Sequence, residues 1–307
     1  MRLVLFGSGE FGVPTFQALA AEHDILRVVS QPARPAGRGR SLRPTPVSEW
    51  ASGRDHPLDE VPDVNDPSVT RSIRSHDADA WVVIAFGQKL GPELLLDRFA
   101  VNLHASLLPK FRGAAPINHA IIAGEETTGV SVITLADRID AGDVLGAVST
   151  RILPAETAGE LHDRLSLLGP DVMLEVLDRY RRGDLSPVPQ PAAEATVAPK
   201  FSRSDGTVDF RADAAAVRNR VHGLTPWPGC DVAIAGQRIR LLRMEVVEAP
   251  DEPAAPGCCS PDGVATCGTG YVRLLRVQAP GGRPMDFSAW LRGQRGLHGS
   301  SLEITAP

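Results

Sequence analysis

The chain has 307 residues, 43% of them hydrophobic and 22% charged, with a formal net charge of −5; this is the balance of a soluble globular protein with room for about two domains, each with its own core. No stretch approaches the ~20 apolar residues of a membrane span, and the N-terminal apolar run breaks at Gly7, too short for a secretory signal, so no membrane and a cytoplasmic location are expected. The acidic balance argues against a chain wrapped as a whole in nucleic acid, though it leaves room for a local basic patch.

The chain opens on an apolar run at residues 3–6, followed by Gly7-Ser8-Gly9-Glu10-Phe11-Gly12. A GxGxxG between strand and helix serves a tight turn in which backbone approaches either a ligand or the sheet. A dinucleotide site would add an acid about 20 residues on, to hold the ribose hydroxyls. The next strand, residues 25–29, ends instead in Ser30-Gln31-Pro32. Residues 34–43, RPAGRGRSLR, follow that strand and place Arg34, Arg38, Arg40 and Arg43 among glycines and prolines that work against regular structure. A charge run is usually a solvated face, but this one lies on the ligand-binding side of the sheet.

Further strands are predicted at 81–86 and 100–103, with helical spacing at 14–21 and 68–75. That alternation points to a mostly parallel sheet flanked by helices. Helical spacing then runs through 159–182, and LSPVPQPAAEATVAPK, residues 185–200, is too rich in Pro and Ala to pack well and is expected to be a linker. A short helix at 214–223 precedes strand-like runs at 230–234, 239–246, 263–265 and 271–277, punctuated by glycines, which together suggest a small β-barrel. The four cysteines, Cys230, Cys258, Cys259 and Cys267, include no CxxC, so free thiols and no metal site are expected.

The chemistry concentrates in VNLHASLLPKFRGAAPINHAIIAG, residues 101–124. Side chains two apart on a strand share a face, so Asn102 and His104 point the same way. The carboxyl ends of parallel strands are where ligands bind. A carboxamide beside an imidazole suits a developing oxyanion, one as a neutral donor and the other as a source of a proton or positive charge. The competing reading is a strand end merely capped by polar groups. Downstream, a strand at 130–135 leads into LADRIDAGDVLG, where Asp137, Asp140 and Asp143 are not ranked by spacing alone.

N-x-H-x-S-L-L-P-x-x-R-G followed by D-x-G, with Asp140 lying 38 residues beyond Asn102, resembles the folate-dependent formyltransferases. QPARPAGRGR (31–40), ATVAPK (195–200), TPWPG (225–229) and QAPGGRPM (278–285) extend the resemblance over the whole chain, toward the members that act on initiator methionyl-tRNA. It implies an α/β fold, a Rossmann-like mostly parallel sheet with helices on both faces plus a C-terminal OB-like β-barrel. The implied division is a catalytic domain at 1–183, a linker at 184–205 and a tRNA-binding domain at 206–307. The glycine turn would hold no dinucleotide and be chiefly structural, its amides at the opening of a helix offering a secondary role toward a polar group of the substrate.

The resemblance also implies that N10-formyltetrahydrofolate, as co-substrate without a metal, gives its formyl group to the α-amino group of methionyl-tRNA. Asn102 and His104 would stabilise the oxyanion. Asp140, chosen over its neighbours by the family match, would support His104 and take up the amine proton directly or through a water. Phe86, Gly87, Gln88 and Leu90 would form the pterin slot, and Ser106, Leu107, Leu108 and Pro109 would line the folate site. Arg34, Arg38, Arg40 and Arg43, with Lys200 from the C-terminal part, would contact the tRNA, whose phosphates and unpaired bases suit arginine. Ala33 stands where the family's loop carries an acid. Arg203, Arg218, Arg220, Arg238 and Arg240 are further candidates on the barrel. A monomer is expected. An enzyme formylating a nucleotide-linked amino sugar would share Asn102, His104 and Asp140 without needing the arginine loop or the barrel. A dehydrogenase would need an acid near Ser30, and an RNA-binding barrel alone would explain only 206–307.

Overall fold

The computed structural model describes residues 1–36, 41–248, 254–294 and 301–306. Residue contacts divide the chain into two compact units: Met1–Gly113, Gly129–Thr150 and His162–Val197 form the first, and Ala114–Thr128, Arg151–Leu161 and Ala198–Pro307 the second. No helix of the described residues is long and apolar enough to cross a membrane.

In chain order the elements up to residue 182 are β1 (Arg2–Gly7), α1 (Val13–Glu22), β2 (Asp24–Ser30), β3 (Arg34–Ala36), β4 (Ser41–Arg43), α2 (Pro46–Ser52), β5 (Leu58–Glu60), α3 (Pro67–Arg74), β6 (Ala80–Ile84), α4 (Pro92–Leu95), β7 (Ala100–His104), α5 (Pro116–Ile122), β8 (Thr127–Thr134), β9 (Val144–Arg151), α6 (Ala158–Ser166) and α7 (Gly169–Arg182). The sheet runs β5-β2-β1-β6-β7-β8-β9. Its first five strands are parallel, and β8 returns antiparallel to β7. All five residues of β6, AWVVI, are buried, as expected of a strand covered on both faces. On one face Val4, Phe6, Trp81 and Val83 join Ile73 of α3 and Leu94 of α4 in one apolar cluster. The alternate residues Leu3, Leu5, Val82 and Ile84 are buried as well, and α1 and α7 pack together.

The glycine turn after β1 is spent on holding the sheet. Ser8 N and Gly9 N both donate to the Ala85 carbonyl beyond β6, at 3.3 and 3.1 Å. The Ser8 hydroxyl donates to Phe86 O and accepts from Gln31 N, each at 3.1 Å. A side chain at Gly12 would crowd Ile84, so the glycine permits the close approach of turn and strand.

Three sequence expectations are modified. The helical run at 159–182 is two helices, α6 and α7, because Pro170 has no N–H to continue the first and sits in the opening turn of the second. The stretch after Gln31 is not irregular at its two ends: β3 and β4 pair antiparallel with Arg34 opposite Arg43, a two-stranded ribbon in which Pro35 is tolerated because edges need no partner for every amide. Residues 185–200 are not a bare tether either. Val188 and Val144 exchange backbone hydrogen bonds at 2.9 and 2.8 Å, and Val197 bridges to Arg112.

In the second unit α8 (Ala214–Gly223), β10 (Cys230–Ile234), β11 (Gln237–Val247), β12 (Cys258–Cys259), β13 (Val264–Thr266), β14 (Tyr271–Gln278), β15 (Met285–Asp286), α9 (Phe287–Arg292) and β16 (Leu302–Thr305) follow. Six strands in the order β11-β10-β16-β12-β13-β14 close into the expected barrel through antiparallel pairing of β11 with β14. Val217 and Val221 of α8 and Phe287 and Trp290 of α9 share its core. α5 packs on α8, where Asn118 donates to Gly223 O at 2.7 Å, and His119 stacks on Phe201 with ring centroids 4.6 Å apart. The cysteines are free, and burial pushes the Cys230 and Cys259 thiols up to about 12, which removes the reactive thiolate at neutral pH.

His222 of α8 is 1% exposed, and its Nε2 accepts the Met244 amide at 3.1 Å. Burial, with smaller contributions from the Arg218 and Arg243 charges, lowers its pKa to about 4. Between that value and the ordinary ~6.5 an unfolded chain binds one more proton than the folded one. Stability is therefore expected to be fully present above pH 6.5 and to fall by roughly 3 kcal/mol as the pH drops toward 4. Urea denaturation between pH 4 and 7 checks this: His222→Gln should flatten the dependence, and an unchanged slope in that variant would remove His222 as its source.

Candidate active site

β7 delivers two polar side chains to its carboxyl end, between parallel β6 and antiparallel β8. Asn102 lies opposite Val83 and Ile133, and His104 opposite Ser131. Leu103, between them, turns to the other face and is buried. The His104 side chain is only 7% exposed. Its Nε2–H donates to the Phe111 carbonyl at 2.9 Å, and its Nδ1 faces Asp140 Oδ2 at 3.6 Å. The same carboxylate oxygen accepts the Gly113 amide at 2.8 Å. Asp140 thus separates itself from Asp137 and Asp143, neither of whose carboxylates pairs with His104 among the described residues. Among those residues the Asn102 carboxamide also has no hydrogen-bond partner, which leaves its N–H groups available to a ligand.

Two loops frame the pair. In the first, Ser106 is buried and its hydroxyl donates to Lys110 O at 2.7 Å, while Ser131 Oγ donates to Ser106 O at 2.8 Å and accepts from Leu108 N at 3.2 Å. Ser106 is therefore spent on shaping the loop, and Leu107, Leu108 and Pro109 are half-buried beside it. In the second, Asp140 has φ +53°, a region that Asp tolerates better than most residues. A side chain at Gly142 would overlap the Thr134 carbonyl. That close approach is sealed by Asp143 N donating to Thr134 Oγ1 at 2.9 Å and Thr134 N to Asp143 O at 3.0 Å.

Sequence reasoning missed three residues that bind these loops together. Arg112 donates from Nε and Nη2 to Gln190 Oε1, at 3.0 and 2.8 Å, and Gln190 Nε2 donates to the carbonyls of Asp140 and Gly142, at 2.9 and 2.6 Å. Thr196 Oγ1 accepts from Phe111 N at 2.8 Å. Arg112 was visible only as a motif position without a role, and Gln190 and Thr196 only as two of several polar residues in a Pro- and Ala-rich tract.

The remaining expected residues fall in different surroundings. Phe86 and Leu90 are buried in the apolar cluster with Trp81. Gln88 is occupied by backbone, accepting from Val64 N at 2.8 Å and donating to Val61 O at 3.0 Å, whereas Gly87 is exposed. Arg34 and Arg43 are exposed and, with Ser8, Thr45 and Glu49, line a cleft of about 370 Å3; the Arg34 guanidinium donates to Gln31 Oε1. Arg38 and Arg40 lie outside the described residues. Lys200 and Arg203 of the second unit are exposed. Arg238 and Arg240 share the Asp231 carboxylate, and Arg220 donates to the carbonyls of Thr207 and Asp205, so much of that basic charge is engaged within the unit.

Residues 1–177 match the family model described as "Formyl transferase", and residues 200–295 the one described as "Formyl transferase, C-terminal domain". A methionyl-tRNA formyltransferase of Cereibacter sphaeroides is 40% identical over 95% of this chain and 96% of its own length. One from Heliobacterium modesticaldum is 39% identical over 96% of this chain and 98% of its own. Among solved structures, an N-formyltransferase from Helicobacter canadensis in complex with folinic acid and dTDP-3-aminofucose superposes with TM-score 0.68 at 12% identity, covering 91% of this chain and 98% of that one. HypX from Aquifex aeolicus in complex with tetrahydrofolic acid gives 0.62 at 19%, over 98% of this chain and 48% of that one. At these identities the two structures speak for the fold alone.

Proposed function

The chain belongs to the formyl transferase family, and from that premise we infer that it transfers the formyl group of N10-formyltetrahydrofolate to the α-amino group of initiator methionyl-tRNA, releasing tetrahydrofolate. The observation that carries this is the near-full-length match, at 40% identity, to methionyl-tRNA formyltransferases, against 12% to the sugar-linked enzyme. The reaction belongs in the cytoplasm, with charged tRNA and folate as partners. Residues 1–183 would carry the chemistry and 206–307 the grip on tRNA, joined by 184–205.

The residues at the end of β7 fit a formyl group. Attack of the amine on the formyl carbon puts negative charge on the formyl oxygen. Asn102, with no hydrogen-bond partner among the described residues to give up, supplies a neutral N–H to that oxygen. His104, its Nε2–H held by Phe111 O, presents Nδ1 as the second donor with the acid Asp140 behind it; Asp140 takes up the amine proton directly or through a water, and as the formyl C–N10 bond breaks that proton passes to N10 of the departing tetrahydrofolate. The exposed backbone at Gly87 and the half-buried Leu107, Leu108 and Pro109 would receive the folate. Phe86 and Leu90 would act from beneath, as the apolar floor of that slot.

The arginine loop is assigned to the acceptor end of the tRNA. Arg34→Ala or Arg43→Ala, and equally Arg38→Ala or Arg40→Ala, should raise KM for methionyl-tRNA while leaving KM for the folate unchanged. Each lost phosphate contact should flatten the log–log salt dependence of tRNA binding by about 0.9 for duplex RNA treated like B-form DNA. Steady-state kinetics and a salt series of binding measurements on the full chain test this. A fall in folate affinity with tRNA use intact would reassign the loop.

A further inference from the structure

We propose that Gln190, through Arg112, is a positioning residue that holds Asp140 and His104 in register. The inference rests on the formyl-transfer reading only for its kinetic readout. The carboxamide of a glutamine offers two N–H donors and an oxygen with two lone pairs. At Gln190 all four are used: the oxygen takes two N–H groups of Arg112, and the nitrogen gives its two to Asp140 O and Gly142 O. This pattern also fixes the orientation of the group, because the flipped carboxamide would set donors against the guanidinium and its oxygen against two carbonyls.

What Gln190 grips is the backbone of the acid itself. Asp140 sits at φ +53°, and the two carbonyls that Gln190 holds, those of Asp140 itself and of Gly142, fix the backbone immediately after the Cα from which the carboxylate faces His104. The other end of the clamp is equally close to the chemistry. Arg112 lies between Phe111, whose carbonyl takes the His104 Nε2–H, and Gly113, whose amide holds Asp140 Oδ2. The contacts therefore close a ring: hydrogen bonds and the chain itself run from His104 through Phe111, Arg112 and Gln190 to Asp140, whose Oδ2 faces His104 Nδ1 at 3.6 Å. Thr196, six residues beyond Gln190, anchors the same loop by accepting Phe111 N on its hydroxyl and Arg112 N on its carbonyl, at 2.8 and 2.9 Å. One strap, residues 188–197, thus spans both loops that carry the pair.

A displacement of about 1 Å at a reacting group costs up to ~10²-fold in rate. Gln190→Ala should accordingly lower kcat roughly 10-fold to 10²-fold with both KM values unchanged, and should produce no further fall in an Asp140→Asn background, since it acts through Asp140. Gln190→Glu keeps the size and the Arg112 contact but turns acceptors toward the two carbonyls; it should lose kcat to the same degree with the strap still in place. Hydrogen exchange at the Gly113 amide should quicken in both variants, a readout that needs no substrate. Unchanged kcat and exchange in both variants, or an equal fractional loss in the Asp140→Asn background, would overturn the proposal. Failure of the wild-type chain to formylate methionyl-tRNA would instead overturn the functional reading, and the exchange measurement would still decide the role of Gln190.

Discussion

Asn102→Ala is expected to lower kcat for formyl transfer by roughly 10²–10³, the usual cost of one lost oxyanion donor, with little change in folate binding. The reason is local. Asn102 stands at the carboxyl end of β7, paired on its two sides with Val83 and Ile133, and its carboxamide has no partner among the described residues, so truncation removes a donor without leaving a protein group unsatisfied. His104→Ala should cost as much, but it also strands the Phe111 carbonyl and the Asp140 carboxylate that the ring now faces, and some loss of stability should accompany it. Asp140→Asn keeps the side-chain volume and tolerates the left-handed backbone, so it isolates the charge: turnover should fall comparably, and the pH dependence of kcat should change shape. Single-turnover kinetics on the three variants separates chemistry from binding. Near-normal turnover in Asn102→Ala and His104→Ala would take both out of the mechanism, and an unchanged profile in Asp140→Asn would uncouple it from His104.

Gly142→Ala is expected to be as damaging by a different route. The added methyl would overlap the Thr134 carbonyl, and the loop cannot retreat without breaking the bonds from Asp143 to Thr134 and from Gln190 to the Gly142 carbonyl. Overpacking of this kind costs about 1–3 kcal/mol, occasionally more. Because Asp140 lies two residues away, the shift should reach the His104 pair and lower kcat by up to ~10². Denaturation and turnover of the one variant check both halves; wild-type values in both would mean that the approach of Gly142 to Thr134 constrains neither stability nor the His104 pair.

The elements legible in the sequence were those with a strong repeat. β1, β2, β6 and β7 carry apolar runs buried on both faces, and α8, β10 and β14 have clear ends, so the sheet-plus-barrel architecture followed from pattern. The shortest elements did not. β12, β15 and β16 have two to four residues, too few for a period to show, and they exist because neighbouring strands offer them partners. The β3–β4 ribbon was hidden by the residues that made the stretch look irregular.

At the site the same divide holds. Asn102 and His104 were readable because strand alternation places them on one face. Asp140 could not be ranked above Asp137 and Asp143 without the family resemblance, since the choice depends on a left-handed turn and a hydrogen bond from Gly113, 27 residues earlier. Gln190 and Thr196 were invisible for a related reason: their partners lie 78 and 85 residues away, and a tract of Pro and Ala announces a tether rather than a clamp.

The central claim is tested most directly by offering the purified full-length chain N10-formyltetrahydrofolate together with either charged initiator methionyl-tRNA or a nucleotide-linked amino sugar, and identifying the formylated product. The account predicts N-formylmethionyl-tRNA with stoichiometric tetrahydrofolate and no formylated sugar. Formylation of the amino sugar, with methionyl-tRNA left untouched, would contradict it.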